Sequence, residues 1–155
     1  MSKQSTHIWS IGLGSRDKAS LAEHMPKDAE LVTFTRKKLP GKQDLESSTP
    51  LLTFIDNAAW KTMSDYRRKS LSSWNGSQLV LLVDKNAPGQ VYEQALNNGF
   101  MSVVAKPLGK RQIAACQRRA EEIRNLFTDI FNMANEIELE REILARKTEN
   151  LLFLN

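Results

Sequence analysis

Short apolar runs, broken by turn residues and by longer stretches of mixed polarity, recur along the first two thirds of the chain. They are "HIWSIGL" (7–13), "ELVTFT" (30–35), "PLLTFID" (50–56), "QLVLLVD" (78–84) and "MSVVAKP" (101–107), and they predict five strands. The third and fourth are apolar throughout instead of alternating, as in central strands covered by helices on both faces. Between them the pattern predicts helices over 16–24, near 42–48, over 58–73 and over 88–98. The last opens at Pro88 and has Gly99 just past its end, the usual asymmetry of helix termini. The one near 42–48 is the weakest, since Pro40 and Gly41 stand before it. Strand and helix alternate through residue 108, which predicts a parallel sheet with right-handed crossovers in an open α/β sandwich.

From residue 109 no further strand pattern occurs, and the rest of the chain has no proline. It predicts one helix of about 40 residues, roughly 60 Å long at 1.5 Å per residue. Its apolar positions keep a seven-residue register. One seam position reads Ile113, Ala120, Phe127, Ala134, Arg141, Thr148, and the other reads Cys116, Ile123, Ile130, Ile137, Leu144, Leu151. Ile or Leu at one position, with Ala, Arg and Thr interrupting the other, predicts a two-stranded coiled coil. The first half, 110–127, has the sheet to pack on; 128–155 has nothing left in the domain, so a homodimer through this half is expected. Arg141 on the seam weakens packing and leaves such a coil able to change register or twist.

At 155 residues the chain allows one core plus an appendage, divided here as a domain over 1–126 and a helical extension over 127–155. The net charge of +4 comes from scattered clusters, Arg36-Lys37-Lys38, Arg67-Arg68-Lys69, Lys110-Arg111 and Arg118-Arg119, with acidic residues between most of them. They read as solvated faces, and direct nucleic-acid binding is not expected. Cys116 is the single cysteine, which excludes an internal disulfide and suits a reducing cytoplasm. No signal-like run opens the chain and no stretch of about 18 apolar residues occurs, so a cytoplasmic protein without membrane contact is expected. His7 and His24 lack ligand spacing to each other or to Cys116, and neither a metal nor a cofactor is expected. Trp60 and Trp74 flank the helix predicted over 58–73 and read as packing residues.

Chemistry in an open parallel sheet gathers beyond the carboxyl ends of the strands. Those ends carry Gly12, Leu13 and Gly14, then Asp56, then Val83 and Asp84, then Lys106 followed by Pro107. An aspartate and a lysine therefore meet in one crevice. Ser15, near Asp17, reads as a helix N-cap. "GLGS" could offer backbone amides to an anion, but it lacks the third glycine of a dinucleotide fingerprint. No nucleophile, base and orienting group cluster in the sequence, so an enzyme is not expected.

Over about residues 7–125 the chain resembles the receiver domain of bacterial two-component response regulators. "PLLTFID" is similar to the third strand that ends in the phosphoacceptor, which places Asp56 at that position. "ALNNGFMSVVAKPL" is similar to the fifth-strand region, which places Lys106-Pro107 at the family's Lys-Pro pair. The resemblance implies a flavodoxin-like fold, with five parallel strands in the order 2-1-3-4-5. It also implies a magnesium-dependent phosphoacceptor, and on that point the chain departs. The family's acidic pair after strand 1 supplies oxygen ligands to Mg²⁺; Gly12, Leu13 and Gly14 stand there. Val83 replaces the family's Thr or Ser, and Val103 replaces the aromatic residue of strand 5 that swings inward on activation.

Without these parts Asp56 reads as the partner of Lys106 in an ion pair tying strand 3 to strand 5, and the chain reads as a pseudo-receiver. "ELEREILARKTENLLFLN", with Glu140-Arg141, is similar to the signalling helices that join bacterial receiver or sensory modules to output domains, and a chain stopping in mid-helix reads as the front of a longer protein. The expectation is a non-catalytic signalling module that dimerises through its last helix and couples to an output domain or partner protein. One alternative is a receiver phosphorylated at Asp56 with oxygens from Asp84 or Asp17 on a rearranged metal site. A more distant one is a basic, dimeric nucleic-acid binder.

Overall fold

The structure, a computed structural model, describes residues 6–72 and 77–153. Trp74, which the sequence pattern assigns to packing, lies outside the described residues. Five strands, β1 (Thr6–Ile11), β2 (Ala29–Phe34), β3 (Leu52–Asp56), β4 (Gln78–Val83) and β5 (Ser102–Ala105), form one parallel sheet in the order β2-β1-β3-β4-β5. The central strands β3 and β4 are buried on both faces, which accounts for their unbroken apolar runs. Around the sheet lie α1 (Ser15–His24), α2 (Lys42–Ser47), α3 (Asn57–Thr62), α4 (Asp65–Ser72), α5 (Gly89–Asn97) and α6 (Lys110–Phe153).

Alternation along each strand divides the core into two layers. Trp9, Ile11, Ile55, Leu81 and Val83 face α2 to α5 and meet Leu45, Trp60, Met63, Leu71 and Ala95. Ile8, Phe54, Val80 and Leu82 face the other way and meet Leu21 of α1 with Ile113, Cys116 and Ala120 of α6. Trp60 belongs to the first layer, where its ring meets Phe100 edge-on at 4.7 Å and the Arg68 guanidinium lies 5.3 Å from its centroid.

Two local expectations are corrected. The helix predicted over 58–73 is broken into α3 and α4. Met63 turns to an extended conformation (φ −74°, ψ 146°) and buries its side chain in the core. The Ser64 hydroxyl then accepts the Arg67 N–H at 3.3 Å, which starts the next helix. Arg68 donates to the carbonyls of Trp60 and Lys61, so the end of α3 keeps hydrogen-bond partners. The apolar spacing runs across the break, so periodicity alone joins the two pieces. The second correction is Ser15. It is the first residue of α1 and not its cap: Gly14 holds the cap position, in extended backbone and without a side-chain hydrogen bond.

The last helix is 44 residues long, about 66 Å. Its first part, with Ile113, Cys116 and Ala120 buried and Ile123 half-buried, packs against the sheet and α1. From Arg124 onward its described side chains are exposed, among them Phe127, Ile130, Ala134, Ile137, Arg141, Leu144 and Leu151 of the heptad seam. No helix among the described residues is long and apolar enough to cross a membrane.

Candidate functional site

Parallel strands all deliver their carboxyl ends to one edge of the sheet, and a crevice of about 440 Å³ opens there. It is lined by Gly12 and Gly14 after β1, Arg36 after β2, Asp56 at the end of β3, Lys61 of α3, Asp84 after β4 and Lys106 after β5. Asp56 and Lys106, expected to meet in one crevice, both line it and lie 2.6 Å apart. Arg36 and Lys61 went unnoticed as crevice residues; the signal for Arg36 was its position just beyond β2.

Asp56 is held from two sides. Its Oδ1 accepts the Ala58 N–H at 2.9 Å, capping α3, and its Oδ2 lies 2.6 Å from Lys106 Nζ. The Asp56 side chain is 6% exposed and that of Lys106 30%. A half-covered lysine thus closes over a buried carboxylate and pairs the end of β3 with the residue that follows β5. Asp84 reaches the same ammonium group from outside, at 3.4 Å, with its own side chain 86% exposed. Burial acts to lower the Lys106 pKa, but hydrogen bonding and charge from Asp56, then from Asp84, outweigh it and hold the group above its ordinary value of 10.5. Lys106 is thus charged at any physiological pH.

Near the expected acidic positions the backbone itself is restrictive. Gly12 has φ +70°, and a Cβ built there would lie 2.6 Å from Ala59 Cβ, so α3 packs directly on the turn that ends β1. No side chain, and hence no carboxylate, fits at position 12 without moving α3. Leu13 is buried among the apolar residues facing α1 and α6, and Gly14 opens α1. Val83 is fully buried in the layer facing α2 to α5, and Val103 packs against that layer from β5. Neither carries a hydroxyl or ring toward the crevice.

Asp17 is the other carboxylate lining the crevice, and it has a structural partner 91 residues away. Its Oδ1 accepts the buried Leu108 N–H at 3.0 Å. One turn further along α1, the Ser20 hydroxyl donates to the Leu108 carbonyl at 2.7 Å. Together they fasten the β5–α6 loop, including Pro107, to α1, and Gly109 N–H donating to Gln112 Oε1 at 2.7 Å begins α6 from there. Sequence reasoning weighed Asp17 beside Ser15 and as a metal oxygen and missed this role; the spacing of 17 and 20 on one helix face was the available signal. His7 meets the Glu30 carboxylate at 3.1 Å, and His24 Nδ1 lies 2.9 Å from the Ser20 carbonyl. Among the described residues no group of three or more His, Cys, Asp or Glu side chains is arranged to hold a metal ion.

No protein-family model matches the chain, and no curated protein matches its sequence significantly. Solved structures do match its fold. A CheY-like response regulator receiver domain protein from Methanospirillum hungatei is similar over 79% of this chain and 98% of its own, with a TM-score of 0.60 and 15% identity. NtrX from Brucella abortus, in complex with ADP, is similar over 84% of this chain with a TM-score of 0.64 and 14% identity. The match covers 29% of that protein, so the chain spans less than a third of its length. A putative pilus assembly-related protein from Burkholderia pseudomallei matches 75% of this chain and 89% of its own, with a TM-score of 0.54 and 15% identity. The chain has the fold of a CheY-like receiver domain followed by a long C-terminal helix.

Proposed function

We propose that the chain is a non-catalytic pseudo-receiver, a signalling module that works without Mg²⁺-dependent phosphorylation. The observation that carries this reading is the packing of Gly12 against Ala59 beside the closed Asp56–Lys106 pair. A receiver transfers a phosphoryl group to its aspartate with a divalent cation neutralising the developing charge, and the cation needs several hard oxygen ligands. Position 12 has no room for one, Asp17 is hydrogen-bonded to the loop before α6, and Asp84 points to solvent beside the lysine. Lys106 and Asp56 then act as a clasp between β3 and β5.

The output in this reading is carried by α6. The domain ends near residue 126, and 127–155 continue as a two-stranded coiled coil that joins two copies and hands on to an output domain or partner protein in the cytoplasm. Its input is a protein contact or a small ligand. The exposed, regularly spaced Phe127, Ile130, Ile137, Leu144 and Leu151 support this arrangement, because an apolar stripe of this length is unstable in water without a partner.

The test is incubation of the full chain with Mg²⁺ and acetyl phosphate, read by intact mass. Unmodified protein is expected. A phosphoryl adduct that disappears in Asp56→Asn would overturn the reading in favour of a phosphoacceptor with a rearranged metal site.

A further inference from the structure

An apolar groove of about 610 Å³ lies at the opposite end of the domain from the crevice. It is formed where Thr49, Pro50 and Leu51, just before β3, face Phe127, Ile130, Phe131 and Ala134 of α6, with Arg124 and Thr128 also lining it. The same stretch of α6 is unusual in a second way. In the heptad register with Phe127 and Ala134 at a, and Ile130 and Ile137 at d, the flanking positions here are also apolar: Leu126 and Met133 at g, Phe131 at e. All three are well exposed, at 58%, 61% and 65%. Further along, the flanks change to Glu140 and Lys147 at g and Glu138 and Ala145 at e. The stripe is therefore widest where the domain's base stands beside the helix; beyond it the a positions are Arg141 and Thr148, and apolar residues continue at d as Leu144 and Leu151, with Ala145 and Leu152 at e.

A two-stranded coil covers a and d and leaves e and g at its margins, where charged residues are usual. In a parallel, in-register pair a g residue faces the e residue five further along on the other helix, so Leu126 of one copy meets Phe131 of the other. Phe131 forms a wall of the groove. Resting on the dimer reading above, we infer that the groove is filled by the second copy's α6: the two helices run parallel and in register, and Leu126 of each copy packs into the groove between Phe131 and the Thr49–Leu51 segment of the other. The dimer interface then includes the base of both receiver-like domains. An antiparallel pair overlapping along the whole exposed helix would set Lys147 and Thr148 of the partner helix opposite Phe131 to Ala134, which does not match the apolar side chains there.

Single-cysteine copies in a Cys116→Ala background test this. Differently tagged Thr49→Cys and Leu126→Cys chains are mixed, exchanged and treated with a short bis-maleimide, and Arg141→Cys chains are treated alone. The expected result is a mixed 49–126 dimer together with a 141–141 dimer. A 141–141 dimer without the mixed product would overturn the inference and leave the coiled-coil dimer standing. A dimer by mass with neither product would also overturn it, by excluding the parallel register. Chains that are monomeric by light scattering and form no cross-link would instead remove the dimer reading itself.

Discussion

The two halves of α6 follow one heptad rule in opposite surroundings. In the first half Ile113, Cys116 and Ala120 occupy seam positions and are buried against the sheet and α1. In the second half Phe127, Ile130, Ile137 and Leu144 occupy equivalent positions and face water. The same residue pattern thus contributes to domain stability in one half and is available for association in the other. What separates them is only where the sheet ends, so the helix carries a rigid link from the Asp17–Leu108 fastening at its start to any surface its far end engages.

That contrast can be broken from either side. Ile113→Ala is expected to cost about 2–5 kcal/mol of folding stability, as a large-to-small change in a closed core. Leu144→Ala should change the stability of the domain by less than about 0.5 kcal/mol. It should instead weaken dimerisation at least roughly tenfold, since each copy loses a buried side chain from the seam. Urea unfolding separates the first effect, and sedimentation over a concentration series the second. Loss of folding stability in both, or association unchanged in Leu144→Ala, would remove the distinction between the halves.

A smaller effect is expected at the crevice. Lys106→Met leaves Asp56 buried with only the Ala58 N–H as partner and should cost about 1–3 kcal/mol. Adding Asp56→Asn should recover part of that loss, because the uncompensated charge is gone. The sign with pH follows from Lys106, where burial lowers the pKa but Asp56 and Asp84 raise it further, above its ordinary 10.5. The stabilisation by the pair is fully present below the unfolded value and is lost as pH rises through the folded one. The gap in melting temperature between wild type and Lys106→Met should therefore hold steady from pH 7 to about pH 10 and close above it.

The smallest expected effect is a rate. Burial raises the Cys116 thiol pKa, with Arg119 acting in the opposite direction, and the side chain is enclosed by the apolar layer facing α1 and α6. Native Cys116 should react with a maleimide only slowly, through local opening, whereas Leu139→Cys in a Cys116→Ala background should react like a free thiol. Equal rates would mean that the first half of α6 is not docked on the sheet.

Much of this architecture was legible in the residues. The five parallel strands follow from runs of apolar residues and the meeting of Asp56 with Lys106 from the rule that parallel strands share one carboxyl edge, whereas the order 2-1-3-4-5 comes from the resemblance to receiver domains. The seam on α6 follows from a period of seven. Other features depend on contacts between distant segments and leave little local trace. Asp17 fastens Leu108, a partner 91 residues away; the spacing of 17 and 20 marks one helix face but does not name what that face holds. The break at Met63 and Ser64 is made by a side chain turning into the core, a tertiary preference that the helical spacing does not register. The groove at Pro50 and Phe131 joins residues about eighty positions apart.

The most direct measurement is the mass of the full chain in solution by light scattering, with and without Mg²⁺ and beryllofluoride. A dimer whose mass and tryptophan fluorescence are unchanged by the addition is the expected result. A monomer, or a change on addition that Asp56→Asn abolishes, would contradict it.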